Sequence, residues 1–245
     1  LPLVPDFKHV PYGKIAKLEE KISENTAAVI IEPIQGEGGI KIPPEGYLKD
    51  VRQICDENKT IMIADEVQTG FGRTGKVFAC EHSDVTPDIM CLAKSIAGGL
   101  PLGITVARSE IMSSFRLGEH STTFGGNPLV CAAASAAIDA LIEERLPERA
   151  AKLGEHFMTK LVELQNKHKM IREVRGMGMM IGIEFRFDVL NILRGLIRKN
   201  IIALDAGRNI VRFLPPLVIT EEQIDTVIES LDQVISEEEN ANPRG

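Results

Sequence analysis

Two short runs each deliver one polar group at their end, and any fold for this chain must place both. Residues 60–64 run into Asp65, and residues 89–93 run into Lys94. The first opens the stretch I-M-I-A-D-E-V-Q-T-G-F-G-R-T-G from Ile61, and the second opens A-K-S-I-A-G-G-L-P-L-G, which closes at Gly103. The length and bounding residues of both runs are those of buried strands rather than helices. In an open α/β sheet, ligands bind in the crevice outside the carboxyl ends of the strands, so an acid and an amine delivered there are candidates for chemistry. Taken singly, each has a plainer reading: Asp65 as a helix cap or turn residue, Lys94 as a solvated charge.

The rest of the chain supplies the scaffold. Residues 1–13 form a connector with Pro2, Pro5, Pro11 and Gly13. Ile15, Leu18 and Ile22 then fall at helical spacing over residues 14–25, followed by a strand at 27–31 that enters E-P-I-Q-G-E-G-G. Pro33 and the glycines there stop regular structure and let backbone approach a ligand. A helix over 45–58 presents Leu48, Val51, Ile54 and Cys55 on one side. Helix, strand, helix, strand predicts a mostly parallel sheet with right-handed crossovers. Gly70, Gly72 and Gly75 match neither the dinucleotide fingerprint nor a Walker loop, so T-G-F-G-R-T-G reads as a flexible turn.

Further on, the pattern predicts a strand at 103–107, a short helix at 110–115 and an Ala-rich helix at 128–144 with Pro128 in its first turn. A boundary falls near Leu146 and Pro147, after which a long helix at 148–167 leads to a smaller unit. That unit has strands at 179–185 and 209–213 around a helix at 189–199. Thr220 and Gln223 form a capping box that opens a last helix with Ile224, Val227, Ile228, Leu231 and Val234 inward. Residues 237–245 read as a disordered polar tail.

Composition excludes several classes. A net charge of −7 with no Lys/Arg cluster argues against nucleic acid as a partner. Cys55, Cys80, Cys91 and Cys131 lie far apart, so no zinc site or disulfide framework is expected, and reduced thiols in a cytoplasmic setting are the natural reading. No segment has the length and apolarity of a membrane span, so no membrane partner is expected.

Four motifs in order, I-I-E-P-I-Q-G-E-G-G from Ile30, A-D-E-V-Q-T-G-F-G-R-T-G from Ala64, A-K-S-I-A-G-G-L-P-L-G around Lys94 and H-S-T-T-F-G-G-N-P from His120, resemble the class III aminotransferases. Arg212 in V-R-F-L-P-P-L-V-I is a fifth match. The resemblance implies the fold class: α/β, a fold type I pyridoxal-phosphate-dependent transferase. Residues 1–146 would be a partial large domain with a mostly parallel sheet, and residues 147–245 a smaller C-terminal α+β domain. Family members are longer at the amino end, where a Gly-rich phosphate loop, a ring-stacking aromatic and a carboxylate-binding Arg lie. The expectation is therefore a fragment or truncated chain.

The resemblance also implies the site. A transaminase needs an amine that can bind an aldehyde covalently and then carry a proton, and Lys94 is that group. Asp65 is the carboxylate against the pyridinium nitrogen of pyridoxal 5'-phosphate. Val67 packs on the ring, with ordinary core packing as its alternative, and Gln68 hydrogen-bonds the ring hydroxyl. Thr123 reaches the cofactor phosphate from a neighbouring subunit, with Thr122 as a competitor, which implies a homodimer or a dimer of dimers. Glu37 pairs with Arg212, masks it while an ω-amine is bound, and releases it for the carboxylate of glutamate. Glu66 has no role beyond local hydrogen bonding.

The implied reaction passes the terminal amino group of acetylornithine, ornithine or a related ω-amino acid to 2-oxoglutarate, as in arginine-type biosynthesis. Q-G-E-G-G leans towards acetylornithine or a lysine-pathway relative. An aminomutase on the same scaffold and a non-catalytic truncated homologue remain as alternatives.

Overall fold

The computed structural model describes residues 4–241. Strands β1 (Ala28–Ile31), β2 (Ile61–Asp65), β3 (Ile89–Leu92) and β4 (Ile104–Ala107) form one sheet in that order. The first three are parallel and β4 is antiparallel to β3. Parallel registers align Ile31 with Ala64 and Asp65 with Cys91, so the carboxyl ends of β1, β2 and β3 emerge on one side. Helices α1 (Ile15–Glu19) and α2 (Tyr47–Glu57) cover one face. Leu48, Val51, Ile54 and Cys55 of α2 pack there with Met62 and Leu18, as their spacing predicts. The first helix stops at Glu19, short of the expected extent, and Ile22 only continues the turn by donating to the Leu18 carbonyl.

After β4 come a short helix α3 (Ser109–Met112) and α4 (Pro128–Glu143). Pro128 occupies the first helical turn of α4, and the Asn127 side chain caps it by accepting from the Val130 N–H at 3.2 Å. Ala134 and Leu141 of α4 pack on Leu92, Ile96, Ala97 and Phe71. That contact backs the turn bearing Lys94.

The second sheet is antiparallel throughout, with order β5 (Ile171–Met177), β6 (Met180–Phe185), β8 (Ile210–Phe213), β7 (Leu204–Asp205). Helices α5 (Leu146–Lys167), α6 (Leu190–Arg198) and α7 (Glu221–Ala241) enclose its core, in which Phe157, Leu161, Ile181, Ile183, Phe185, Ile192, Leu196 and Ile224 are fully buried. The capping box at α7 is reciprocal: Thr220 N–H donates to Gln223 Oε1 at 3.0 Å, and Gln223 N–H donates to Thr220 Oγ1 at 3.3 Å. Contrary to the tail reading, α7 continues to Ala241, because Val234 and Ile235 are still buried and anchor the helix; residues 242–245 lie outside the described residues.

Arg73 ties the two sheets together. Its Nη1 donates to the carbonyls of Met179 (3.0 Å) and Pro215 (2.5 Å), while Met179 N–H returns to the Arg73 carbonyl at 2.8 Å. Burial pushes its guanidinium down to about 10. The glycine-flanked turn is therefore pinned rather than flexible. Close approach leaves no room at Gly178, where a Cβ would lie 2.5 Å from the Thr74 carbonyl carbon.

Candidate active site

The crevice is built from the segments that leave the carboxyl ends of β1, β2 and β3. Asp65 closes β2, partly buried, and its Oδ1 accepts the Val67 N–H at 3.1 Å. This local bond holds the carboxylate at the start of the turn. Glu66, next in sequence, points into the protein instead: it is 1% exposed and accepts from the N–H groups of Ala79 (3.0 Å) and Cys80 (2.8 Å) and from the Thr69 hydroxyl. The two adjacent acids thus divide, one at the crevice and one as an internal brace.

Lys94 comes after β3 and begins a one-turn 3₁₀ segment, Lys94–Ala97. Its backbone φ is +56°, a left-handed conformation that costs a residue with a Cβ roughly 1–3 kcal/mol. The turn is held from below by buried Ile96 and Ala97, and the Lys94 side chain is exposed. Sequence patterning carries no signal for this strained backbone.

The loop after β1 brings the third group. Glu32 accepts the Gly36 N–H at 2.9 Å, and Gln35 and Lys41 exchange backbone hydrogen bonds of 3.1 and 3.0 Å, closing residues 32–41 into a compact excursion. Glu37 on this loop accepts from Arg212 Nη1 at 2.6 Å and from Gln68 Nε2 at 3.3 Å. The Arg212 hydrogen bond is foremost in holding the Glu37 carboxyl below its ordinary value; burial opposes it, while the Arg212 charge, Gln68 and the Lys94 charge reinforce it. Glu37, Gln68, Lys94 and Arg212 therefore share one electrostatic neighbourhood, although Arg212 arrives from the second sheet, where it pairs with Gly182.

Gly36 is a site residue that motif reading passes over. A Cβ there would lie 2.1 Å from Gln68 Oε1 and 2.6 Å from Gln68 Nε2, so the Gln68 amide rests directly on this glycine. A glycine beside the charged residue of a loop is the one local signal for it. Val67 is half-buried beside Asp65. Thr123 lies on an exposed loop before α4 and, among the described residues, makes no hydrogen bond to the other candidates. Thr122 is engaged locally, its Oγ1 accepting the Gly125 N–H at 3.4 Å. The structure thus groups Lys94, Gln68, Glu37 and Arg212, sets Asp65 and Val67 on the adjoining turn, and gives Thr123 no hydrogen bond to any of them.

Two buried polar atoms here have no partner among the described residues: Gln68 Oε1 and Arg212 Nε. Unmet buried polar groups are costly, and a polar ligand relieves that cost. An amine, a carboxylate at a strand end and an amide are the donor set that an aldehyde-bearing pyridine ring with a hydroxyl requires. Pyridoxal phosphate fits these residues. Among the described residues no group of three His, Cys, Asp or Glu could hold a metal ion, and no helix is long and apolar enough to cross a membrane.

An α/β sheet with an amine and an acid at its strand ends, joined to an antiparallel sheet that supplies an arginine, is the partial scaffold of a fold type I pyridoxal-phosphate enzyme. The family model for class III aminotransferases matches residues 4–235, so the chain belongs to that family. It is similar to the acetylornithine aminotransferase of Methanocaldococcus jannaschii, 45% identical over 236 residues, covering 96% of this chain and 59% of that protein. The ornithine aminotransferase of Oceanobacillus iheyensis is 48% identical over 236 residues, with 96% and 59% covered.

Among solved structures, an ornithine aminotransferase from Toxoplasma gondii described with partial occupancy of pyridoxal phosphate at its active site superposes with a TM-score of 0.95 at 35% identity, over 99% of this chain and 58% of that one. Family membership gives pyridoxal phosphate as the cofactor. The chain spans about 59% of the length of the curated relatives it matches.

Proposed function

We propose that the protein is an aminotransferase that moves the terminal amino group of acetylornithine, ornithine or a similar ω-amino acid onto 2-oxoglutarate, a reading whose donor the names of the relatives support. The observation that carries this reading is the Glu37–Arg212 pair beside Lys94: a guanidinium 6% exposed, covered by a carboxylate 74% exposed. Pyridoxal phosphate, when bound, supplies the electron sink.

The chain's own groups do the rest. The Lys94 amine would hold the cofactor through its aldehyde carbon and, once displaced by the substrate amine, would move the proton between the amine-bearing substrate carbon and that cofactor carbon. Asp65 would hold the proton on the ring nitrogen, Gln68 would meet the ring hydroxyl, and Val67 would pack on the ring. Thr123, which makes no hydrogen bond to the other groups within one chain, would serve the phosphate of the cofactor held by a neighbouring subunit in a homodimer. While an ω-amine donor is present, Glu37 stays on Arg212; when the acceptor arrives, Arg212 is free to hold its carboxylate in two parallel hydrogen bonds. Residues 1–146 and 147–245 act as the cofactor-bearing and the smaller domain, with Arg212 crossing between them.

The test is direct. Purified protein with pyridoxal phosphate, an ω-amino donor and 2-oxoglutarate should form glutamate. Omitting 2-oxoglutarate should stop turnover after one amino group per site, whereas continued conversion of the donor without an acceptor would identify an aminomutase instead.

A further inference from the structure

A carboxylate ligand reaches the Arg212 fork only when Glu37 gives way, since Glu37 Oε1 sits 2.6 Å from Arg212 Nη1 and Arg212 is otherwise buried. Whatever holds Glu37 in place therefore governs carboxylate binding. Two residues beyond Glu37 the loop is gripped by the second sheet. Arg175, on β5, donates from Nε to the carbonyls of Gly39 (2.9 Å) and Ile40 (3.2 Å), and from Nη2 to Gly39 again (2.8 Å). Its Nη1 is fixed by Glu184 and Glu173, each at 2.8 Å. Glu184 is steadied in turn by Arg172 at 3.0 Å.

The loop also lies hard against β8. Gly39 has φ +104°, and a Cβ on it would fall 2.6 Å from Ile210 Cδ1, two residues before Arg212 on the same strand. Ile40, fully buried, packs where a Cβ on Gly182 would meet it at 3.0 Å, and Gly182 is the strand partner of Arg212. Both members of the ion pair are thus positioned by one sheet, Arg212 through the β6–β8 ladder and Glu37 through Arg175.

We propose that Arg175 is a positioning residue that sets how firmly Glu37 covers Arg212, and so how readily a substrate dicarboxylate binds. This rests on the reading above of Arg212 as the carboxylate site. Three hydrogen bonds to carbonyls hold the loop at a high local concentration of Glu37 over the guanidinium. Loosening them leaves Glu37 attached to the chain but less often on Arg212, which favours any competing carboxylate.

The experiment uses the whole protein with pyridoxal phosphate bound, and glutarate as the probe, a dicarboxylate with no amino or keto group to react. Arg175→Gln should speed amide exchange at residues 36–41 and tighten glutarate binding by about three- to tenfold, measured by calorimetry. Arg175→Lys keeps a charge for Glu184 but cannot fork to both carbonyls, and should fall between; it carries the test alone if the glutamine variant does not fold. Glutarate affinity unchanged or weakened in a folded variant overturns the proposal. Arg212→Gln separates the two readings: if it binds glutarate as well as the unaltered protein, the carboxylate assignment fails, while faster exchange at 36–41 in the Arg175 variants would still locate the grip on the loop.

Discussion

Gly36→Ala is a substitution the fold should tolerate and the chemistry should not. Gly36 does not need a left-handed backbone, since its φ is not among the positive ones, so alanine is admissible there and slightly reduces the freedom of the unfolded chain. The obstacle is the Gln68 amide: the new Cβ would lie 2.1 Å from Oε1, 2.5 Å from Cδ and 2.6 Å from Nε2, where ordinary contact begins near 3.4 Å. The amide is the far end of a flexible side chain, so it can swing away by about 1 Å at little cost in stability.

That swing removes the hydrogen bond to Glu37 and shifts the group that, on the proposed reading, meets the cofactor ring. A misplacement of about 1 Å in positioned groups costs about 100-fold, or about 2.7 kcal/mol in transition-state stabilisation. The assays are kcat/KM for amino transfer and a thermal midpoint on the same sample. A loss near 100-fold with a midpoint within a few degrees is expected, and in a Gln68→Ala background the second substitution should add almost nothing, because the clash is gone. Unchanged kcat/KM accompanied by a falling midpoint would refute the assignment of Gly36 as the seat of Gln68.

Lys94→Ala should abolish amino transfer and the visible absorbance of the bound cofactor; Lys94→Gly should do the same but unfold with about 1 kcal/mol more stability than the alanine variant, since glycine relieves the +56° φ. Asp88→Asn should cost about 3 kcal/mol in urea unfolding, because this 7% exposed carboxylate accepts from Met62 N–H at 2.7 Å and pairs with Arg52 at 2.7 Å and Arg108 at 3.2 Å. Burial alone would raise the Asp88 carboxyl, but the Met62 N–H and the arginines overcome it and hold it below its ordinary 3.8. Its contribution is therefore complete above that value and is lost as pH falls below it, so the asparagine variant should show a flatter stability profile on the acid side of pH 4. Arg73→Met should destabilise by about 3 kcal/mol in the same assay by stranding the Met179 and Pro215 carbonyls.

How much of this is legible in the sequence depends on whether a residue's partners are near it in the chain. The strands before Asp65 and Lys94, the proline at the start of α4 and the Thr220–Gln223 cap are local signals, and the structure has them. Strand β5 escapes a periodicity reading because the apolar residues of I-R-E-V-R-G-M fall three apart rather than two, and the reason for its charges lies elsewhere: Arg175 answers carbonyls at Gly39 and Ile40. The end of the chain from Glu237 reads as a polar tail because E-E-E-N carries no apolar residue; what holds its described part is tertiary, Glu239 pairing with the buried His168 at 2.9 Å. The seat of Gln68 on Gly36 and the left-handed Lys94 are likewise products of tertiary approach, which no periodicity encodes.

The contacts between the two sheets divide by chemistry in a way that bears on function. Arg73 and Arg175 reach across to backbone carbonyls, which cannot leave, so competing anions do not displace the junction they make. Arg212 reaches across to a carboxylate on an exposed side chain, which can rotate into solvent at modest cost because it keeps its hydration. Two fixed arginines and one exchangeable one give a frame in which the Arg212 partner can be replaced without moving the sheets. Swapping the chemistry, with Glu37→Gln, should therefore weaken the hold on Arg212 yet leave the junction intact. Carboxylate binding should tighten while the free energy of unfolding in urea stays within about 1 kcal/mol of the unaltered protein, since the substituted amide oxygen sits on an exposed side chain and can still accept from Arg212 Nη1.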